Sequence, residues 1–117
     1  MSSQNINKDL LEIIGKYPKT FLLMDEGSAI HCRSIIGDIP ALTEDNTIVI
    51  PQGDDHKNAE NALRIWNFLS SHGATRNSLL INLGGGMICD LGGFCASTFK
   101  RGMDFVNVPT TVLAQVD

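Results

Sequence analysis

Four short apolar runs without a charge among them alternate along this chain with segments of helical spacing: Phe21–Met24, Thr47–Ile50, Leu79–Leu83 and Phe105–Val108. Runs this short suit strands buried on both faces, and strands joined through helices pair in parallel. The alternation therefore predicts right-handed crossovers and an α/β fold, a Rossmann-like three-layer sheet of mainly parallel strands. With 117 residues, 43% of them hydrophobic, the chain is the size of one domain with a core of its own.

The connecting segments are read in the same way. Leu10, Leu11 and Ile14 predict a first helix, with Asn7 or Asp9 as cap and Gly15 as stop. Residues 28–36 are expected to hold a short helix, broken by Gly37, Asp38 and Pro40. Ala59, Ala62, Leu63, Trp66 and Leu69 recur at a period near 3.6, and Gly73 stands where a left-handed cap belongs. A helix is expected from about Met87 to Lys100, closed by Arg101 and Gly102. Thr110 opens an apolar helical pattern through Val112, Leu113 and Val116, yet the chain stops at Asp117. So short a helix does not stand alone, which leads us to expect the front part of a longer protein.

Composition removes several functions. A net charge of -4 offers no cationic surface to nucleic acid or to an acidic membrane. The longest charge-free apolar stretch, Asn77 to Cys89, is too short to cross a bilayer, and no basic region precedes an apolar run at the N-terminus. Cys32, Cys89 and Cys95 are an odd set with no CxxC spacing, so reduced thiols and a cytoplasmic location are expected. His31, His56 and His72 form no HxH or HxxxH pair, and no metal site is expected in the chain.

The strongest chemical signal is the triglycine Gly84–Gly85–Gly86 between a strand and a helix. Glycine permits positive φ and close approach of a ligand to the main chain, and the free amides of the next helix attract an anion such as phosphate. The plainer alternative is a turn that needs small residues. The usual dinucleotide GxGxxG is absent, because Cys89 occupies its last position. Gly92 and Gly93 imply close approach by a cofactor or by a packed helix. Asp90 and Asp25 sit where α/β folds place ribose-binding carboxylates, and helix dipole and turn chemistry are their ordinary explanations. Asp54, His56 and Lys57 after the second strand, and Thr110 and Thr111 after the fourth, add polar groups to the same rim. Cys89 and Cys95 are read as small buried hydrophobes, and Lys100 and Arg101 as a solvated helix end.

From Gly84 to Asp117 the run GGGMICDLGGFCASTFKRGMDFVNVPTTVLAQVD resembles the 3-dehydroquinate synthase family. The features carrying the resemblance are the triglycine, Asp90, Gly93–Phe94, Arg101–Gly102, Val108 to Thr111, and Gln115 to Asp117. Earlier residues match more loosely, through Asp25 and PQGDDHKN. The resemblance implies an NAD-binding N-terminal domain of a two-domain enzyme, residues 1–117, whose helical C-terminal domain is absent here. It implies cofactor contacts from Asp25, Gly53, Asp54, Lys57, Gly85, Gly86, Met87, Asp90, Thr110 and Thr111. Gln52 and Asp54 depart from the family's D-G-E-x-x-K at its first and third positions. Asp117 would touch a phosphosugar substrate, and Arg101 would approach its phosphate or carboxylate across a homodimer interface. A divalent metal, zinc or cobalt, would be held by residues outside this chain. The fragment alone is expected to be inactive. Other sugar-phosphate cyclases, of the 2-deoxy-scyllo-inosose or valiolone synthase type, remain alternatives, as do a glycerol or iron-type alcohol dehydrogenase and a noncatalytic nucleotide-binding module.

Overall fold

The computed structural model describes residues 3–31, 39–51 and 59–110. Helix α1 spans Ser3–Ile14. Leu10 and Ile14 are buried while Leu11 is exposed, because residues four apart share a helix face and adjacent ones do not. The helix starts ahead of Asn7 and Asp9, so both lie inside it and neither is its cap. Nothing in the run SQNIN breaks a helix, so the first turn extends toward the N-terminus, and Gly15 follows the last residue as expected.

Strand β1, Thr20–Asp25, is buried along its whole length. Helix α2, Glu26–His31, begins directly after it, earlier than the expected residue 28. The cause is Asp25, whose Oδ1 accepts the Ser28 amide at 2.7 Å and so caps the new helix. The remainder of the expected segment lies outside the described residues.

Strand β2 is Thr47–Ile50. A single 3₁₀ turn at Glu44–Asn46 leads into it, and Asn46 Nδ2 donates to the Thr20 carbonyl at 2.9 Å, tying its entrance to the start of β1. Helix α3, Ala59–Ser71, buries Ala62, Ile65 and Leu69. Leu63 faces solvent instead, and Ile65, absent from the expected stripe, takes the core position. Gly73, with φ of 77°, closes α3 as expected. Its amide bonds to Ser70 and that of Ala74 to Leu69, while Ala74 and Leu69 pack in one cluster.

Strand β3 is Leu79–Gly84, helix α4 is Gly86–Thr98, a 3₁₀ turn covers Phe99–Arg101, and strand β4 is Asp104–Pro109. The sheet order is β2-β1-β3-β4 and every pairing is parallel. One face carries Leu22, Met24, Leu79, Ile81 and Leu83 against Leu10 and Ile14 of α1, with Ala29 of α2 beside them. The other carries Phe21, Leu23 and Leu80 against Ile65 and Leu69 of α3 and Ile88, Leu91 and Cys95 of α4. Alternate residues of each strand thus serve opposite helical layers, as the three-layer reading requires.

Candidate functional site

Because all four strands are parallel, Asp25, Ile50, Gly84 and Pro109 end on one rim. Met24 pairs with Leu83, so Asp25 and Gly84 leave neighbouring strands at the same level. The chain then diverges, since α2 follows β1 onto one face and α4 follows β3 onto the other. A crevice opens at such a reversal of strand order, and α/β sheets bind ligands there.

The three glycines differ in what they provide. None has positive φ, in contrast to the expectation; Gly85 is extended, with φ of -79° and ψ of -168°. Gly84 makes room for its own helix, because a Cβ there would meet Ile88 Cβ at 2.8 Å. At Gly85 and Gly86 a Cβ would meet none of the described residues within 4 Å. Neither conformation nor packing among the described residues requires glycine at these two positions, and both border space that no described residue fills. Gly85 is the residue ahead of α4, no side chain among the described residues caps the helix, and its first turn holds no acid. The first helical bond runs from the Cys89 amide to the Gly85 carbonyl at 3.1 Å. The amides of Gly86, Met87 and Ile88 therefore precede the helical ladder and, with the helix dipole, suit an anion. Ile88 was not singled out from the sequence; its place as the third such amide is the signal that identifies it.

Asp25 is buried and serves as the cap of α2. Asp90 lies exposed one turn into α4, and Thr110 follows β4, half-buried. Gly53, Asp54, Lys57, Thr111 and Asp117 lie outside the described residues, as do His56 and Cys32.

Arg101 stands apart from this group. Helix α4 runs back against the strand direction, and its 13 residues span roughly 20 Å. Arg101 therefore lies at the opposite rim, three residues after α4 ends at Thr98 and just ahead of β4. Its backbone and that of Lys100 are left-handed, with φ of 72° and 45°. Such residues cost about 1–3 kcal/mol each and persist where neighbours impose them. Here the Gly102 amide bonds to Phe99 at 2.7 Å, the Met103 amide to Ala96 at 2.8 Å, and Lys100 Nζ donates to the Ala74 carbonyl at 3.4 Å.

The close approach expected at Gly92 and Gly93 comes from the sheet and from neither ligand nor helix. A Cβ on Gly92 would overlap the Asn82 carboxamide, and one on Gly93 would press on the Phe105 ring at 3.3 Å. Burial pushes the Cys95 thiol up to about 12, and Cys89 is raised by burial and then by the Asp90 charge. Both remain thiols at neutral pH, in line with their reading as small hydrophobes. His72 sits at the end of α3 with Nδ1 2.8 Å from the Phe68 carbonyl. Among the described residues, no group of three His, Cys, Asp or Glu could hold a metal ion, and no helix is long and apolar enough to cross a membrane.

A family model described as 3-dehydroquinate synthase N-terminal matches residues 47–117. The 3-dehydroquinate synthase of Parabacteroides distasonis is 49% identical over 102 residues, covering 87% of this chain and 29% of that protein. That of Clostridium botulinum is 42% identical over 117 residues, covering 98% and 32%. The chain thus spans about a third of the length of the curated relatives it matches. Among solved structures, a 2-deoxy-scyllo-inosose synthase superposes with a TM-score of 0.73 at 19% identity, over 90% of this chain and 31% of that one. The 2-epi-5-epi-valiolone synthase of Streptomyces hygroscopicus, with NAD+ and Zn2+ bound, gives 0.72 at 20% identity, over 92% and 32%. At these identities the likeness is one of fold.

Proposed function

Since this chain belongs to the 3-dehydroquinate synthase family, we propose that residues 1–117 form the NAD-binding portion of an enzyme converting 3-deoxy-D-arabino-heptulosonate 7-phosphate to 3-dehydroquinate and phosphate. One observation carries the cofactor part of this reading: among the described residues nothing fills the space beside Gly85 and Gly86 or caps the start of α4, which lies next to the reversal in strand order. A diphosphate fits that place by charge and by the three unladdered amides. When bound, NAD supplies reversible hydride removal from a secondary alcohol, which acidifies the neighbouring C–H and permits loss of phosphate with no net oxidation.

The residues of this chain bind and orient. Gly85, Gly86, Met87 and Ile88 hold the diphosphate, and Asp90 borders the same end of the cofactor. Asp25 takes the adenosine ribose. An ionised carboxylate has roughly four acceptor sites, so its bond to Ser28 is compatible with a hydroxyl partner. Gly53, Asp54, Lys57, Thr110 and Thr111 complete the contacts, and Asp117 reaches the substrate. Arg101, at the far rim, serves the site of a second copy in a homodimer, because the length of α4 separates it from its own. The described residues hold no group that fits zinc or cobalt, so the divalent metal of the full-length enzyme would be held elsewhere.

Phosphate release tests the reading. The full-length enzyme carrying this chain, supplied with the heptulosonate phosphate and catalytic NAD+, is expected to release one phosphate per substrate consumed. Intact NAD+ binding without phosphate release would reject the assigned substrate in favour of another sugar-phosphate cyclase. Absence of NAD+ binding would reject the cofactor assignment itself.

A further inference from the structure

We infer that Asn82 is a positioning residue for the cofactor site, a role that rests on reading the first amides of α4 as the NAD site. Its buried carboxamide fills the space beneath Gly92 and so sets the height at which α4 presents Gly86, Met87 and Ile88.

Asn82 lies in the middle of β3 and is fully buried on the face that α4 covers. A polar side chain is costly there unless its groups are matched. One amide hydrogen is matched: Nδ2 donates to Asn107 Oδ1 at 3.0 Å, across the β3–β4 register in which the two residues are partners. Among the described residues Oδ1 has no N–H or O–H partner. What faces it is Gly92, because a Cβ built on that glycine would overlap Oδ1, Cγ and Nδ2 together. A Cα–H of the glycine therefore points at the oxygen, the weak contact that lets a helix backbone settle onto an acceptor. The bond to Asn107 holds the plane of the carboxamide, so the spacer has a set orientation and thickness.

The helix is seated by three such contacts in a row. Gly84 lies against Ile88, Gly92 on Asn82 and Gly93 on the Phe105 ring. Gly92 is six residues from Gly86, roughly 9 Å along the same rigid element. Lifting the middle of α4 tilts or raises its first turn, and displacement of a binding group by about 1 Å can cost roughly a hundredfold in function. The requirement at position 92 thus originates in the sheet and reaches the cofactor through the helix.

The test is a double-mutant cycle in the full chain, with NAD+ affinity by calorimetry, thermal midpoint, and amide NMR shifts of residues 85–88 as readouts. Gly92→Ala is expected to weaken NAD+ binding by roughly tenfold or more and to move those amide signals. In the double variant Asn82→Ala, Gly92→Ala the new methyl occupies the vacated space, and affinity and shifts are expected to return toward wild type. A folded Gly92→Ala with wild-type affinity and shifts would overturn the inference, as would a double variant no better than the single. Should Gly92→Ala not fold, Asn82→Ala decides: a purely structural role lowers the midpoint alone, whereas positioning also moves the amides of residues 85–88. Failure of wild type to bind NAD+ would reject the cofactor reading, and the amide shifts would still show whether Asn82 sets the seat of α4.

Discussion

A side chain at position 86 would project into the space assigned to the diphosphate, where at present a Cβ would touch none of the described residues. Gly86→Val is accordingly expected to abolish measurable NAD+ binding in a calorimetric titration while the fold is retained, since its Cβ meets none of the described residues within 4 Å. Unchanged affinity would remove the diphosphate from this turn. That glycines stand at 85 and 86 between a strand and a helix was legible in the sequence. The reason was not, because a glycine in a sequence does not disclose whether it serves a positive φ, a neighbouring side chain or a ligand. Here each purpose falls on a different residue: Gly73 for conformation, Gly84 and Gly92 for neighbours, Gly85 and Gly86 for the open crevice. Asn82 left no pattern in the sequence at all, being one polar residue inside an apolar strand whose meaning depends on a glycine ten positions later in the chain.

Among the elements, strands were read to within a residue or so at each end, because short apolar runs bounded by turns leave little freedom. Helix starts were read less well. The first turn of α1 is polar, and the start of α2 depends on Asp25 acting as cap, which is indistinguishable in sequence from Asp25 acting as turn or ligand. The end of α3 was legible since Gly73 is required by a left-handed φ of 77°. Gly73→Ala is expected to lower stability by about 1–2 kcal/mol. The added methyl would also meet Lys19 Nζ at 2.6 Å, the flexible group that donates to the His72 carbonyl at the same helix end. Urea unfolding would register the change as a lower midpoint, and an unchanged midpoint would mean that the cap contributes nothing.

For the whole molecule, alternation of strands and helices was enough to predict parallel pairing, whereas the strand order is set by contacts between residues far apart in the chain. The return of α4 against the strand direction places Arg101 on the rim opposite the crevice. Arg101→Ala is therefore expected to leave the NAD+ affinity of the chain unchanged while lowering turnover by the assembled enzyme; a loss of affinity would place Arg101 near the cofactor of its own chain. The same far rim carries a latch. Tyr17 donates its hydroxyl to Asp104 Oδ2 at 2.6 Å, joining the loop before β1 to the start of β4. That hydrogen bond, with burial and the carboxylate charge, raises the tyrosine above its ordinary value of 10.0. A group raised on folding stabilises fully below its unfolded value and loses that contribution as pH climbs through the folded one. Wild type should thus lose stability above about pH 10 faster than Tyr17→Phe, and parallel pH profiles in urea would dismiss the latch.

The pairing of β1 with β3 joins segments roughly 60 residues apart, and it forms the centre of the sheet. A ribosome adding 5 to 20 residues each second needs roughly 3 to 12 seconds to deliver the second partner after the first. For that interval β2 can cover only one edge of β1, and the other, along Phe21, Leu22, Leu23 and Met24, is a natural target for a chaperone, so slower translation between these two strands is expected to leave more newborn protein open to aggregation.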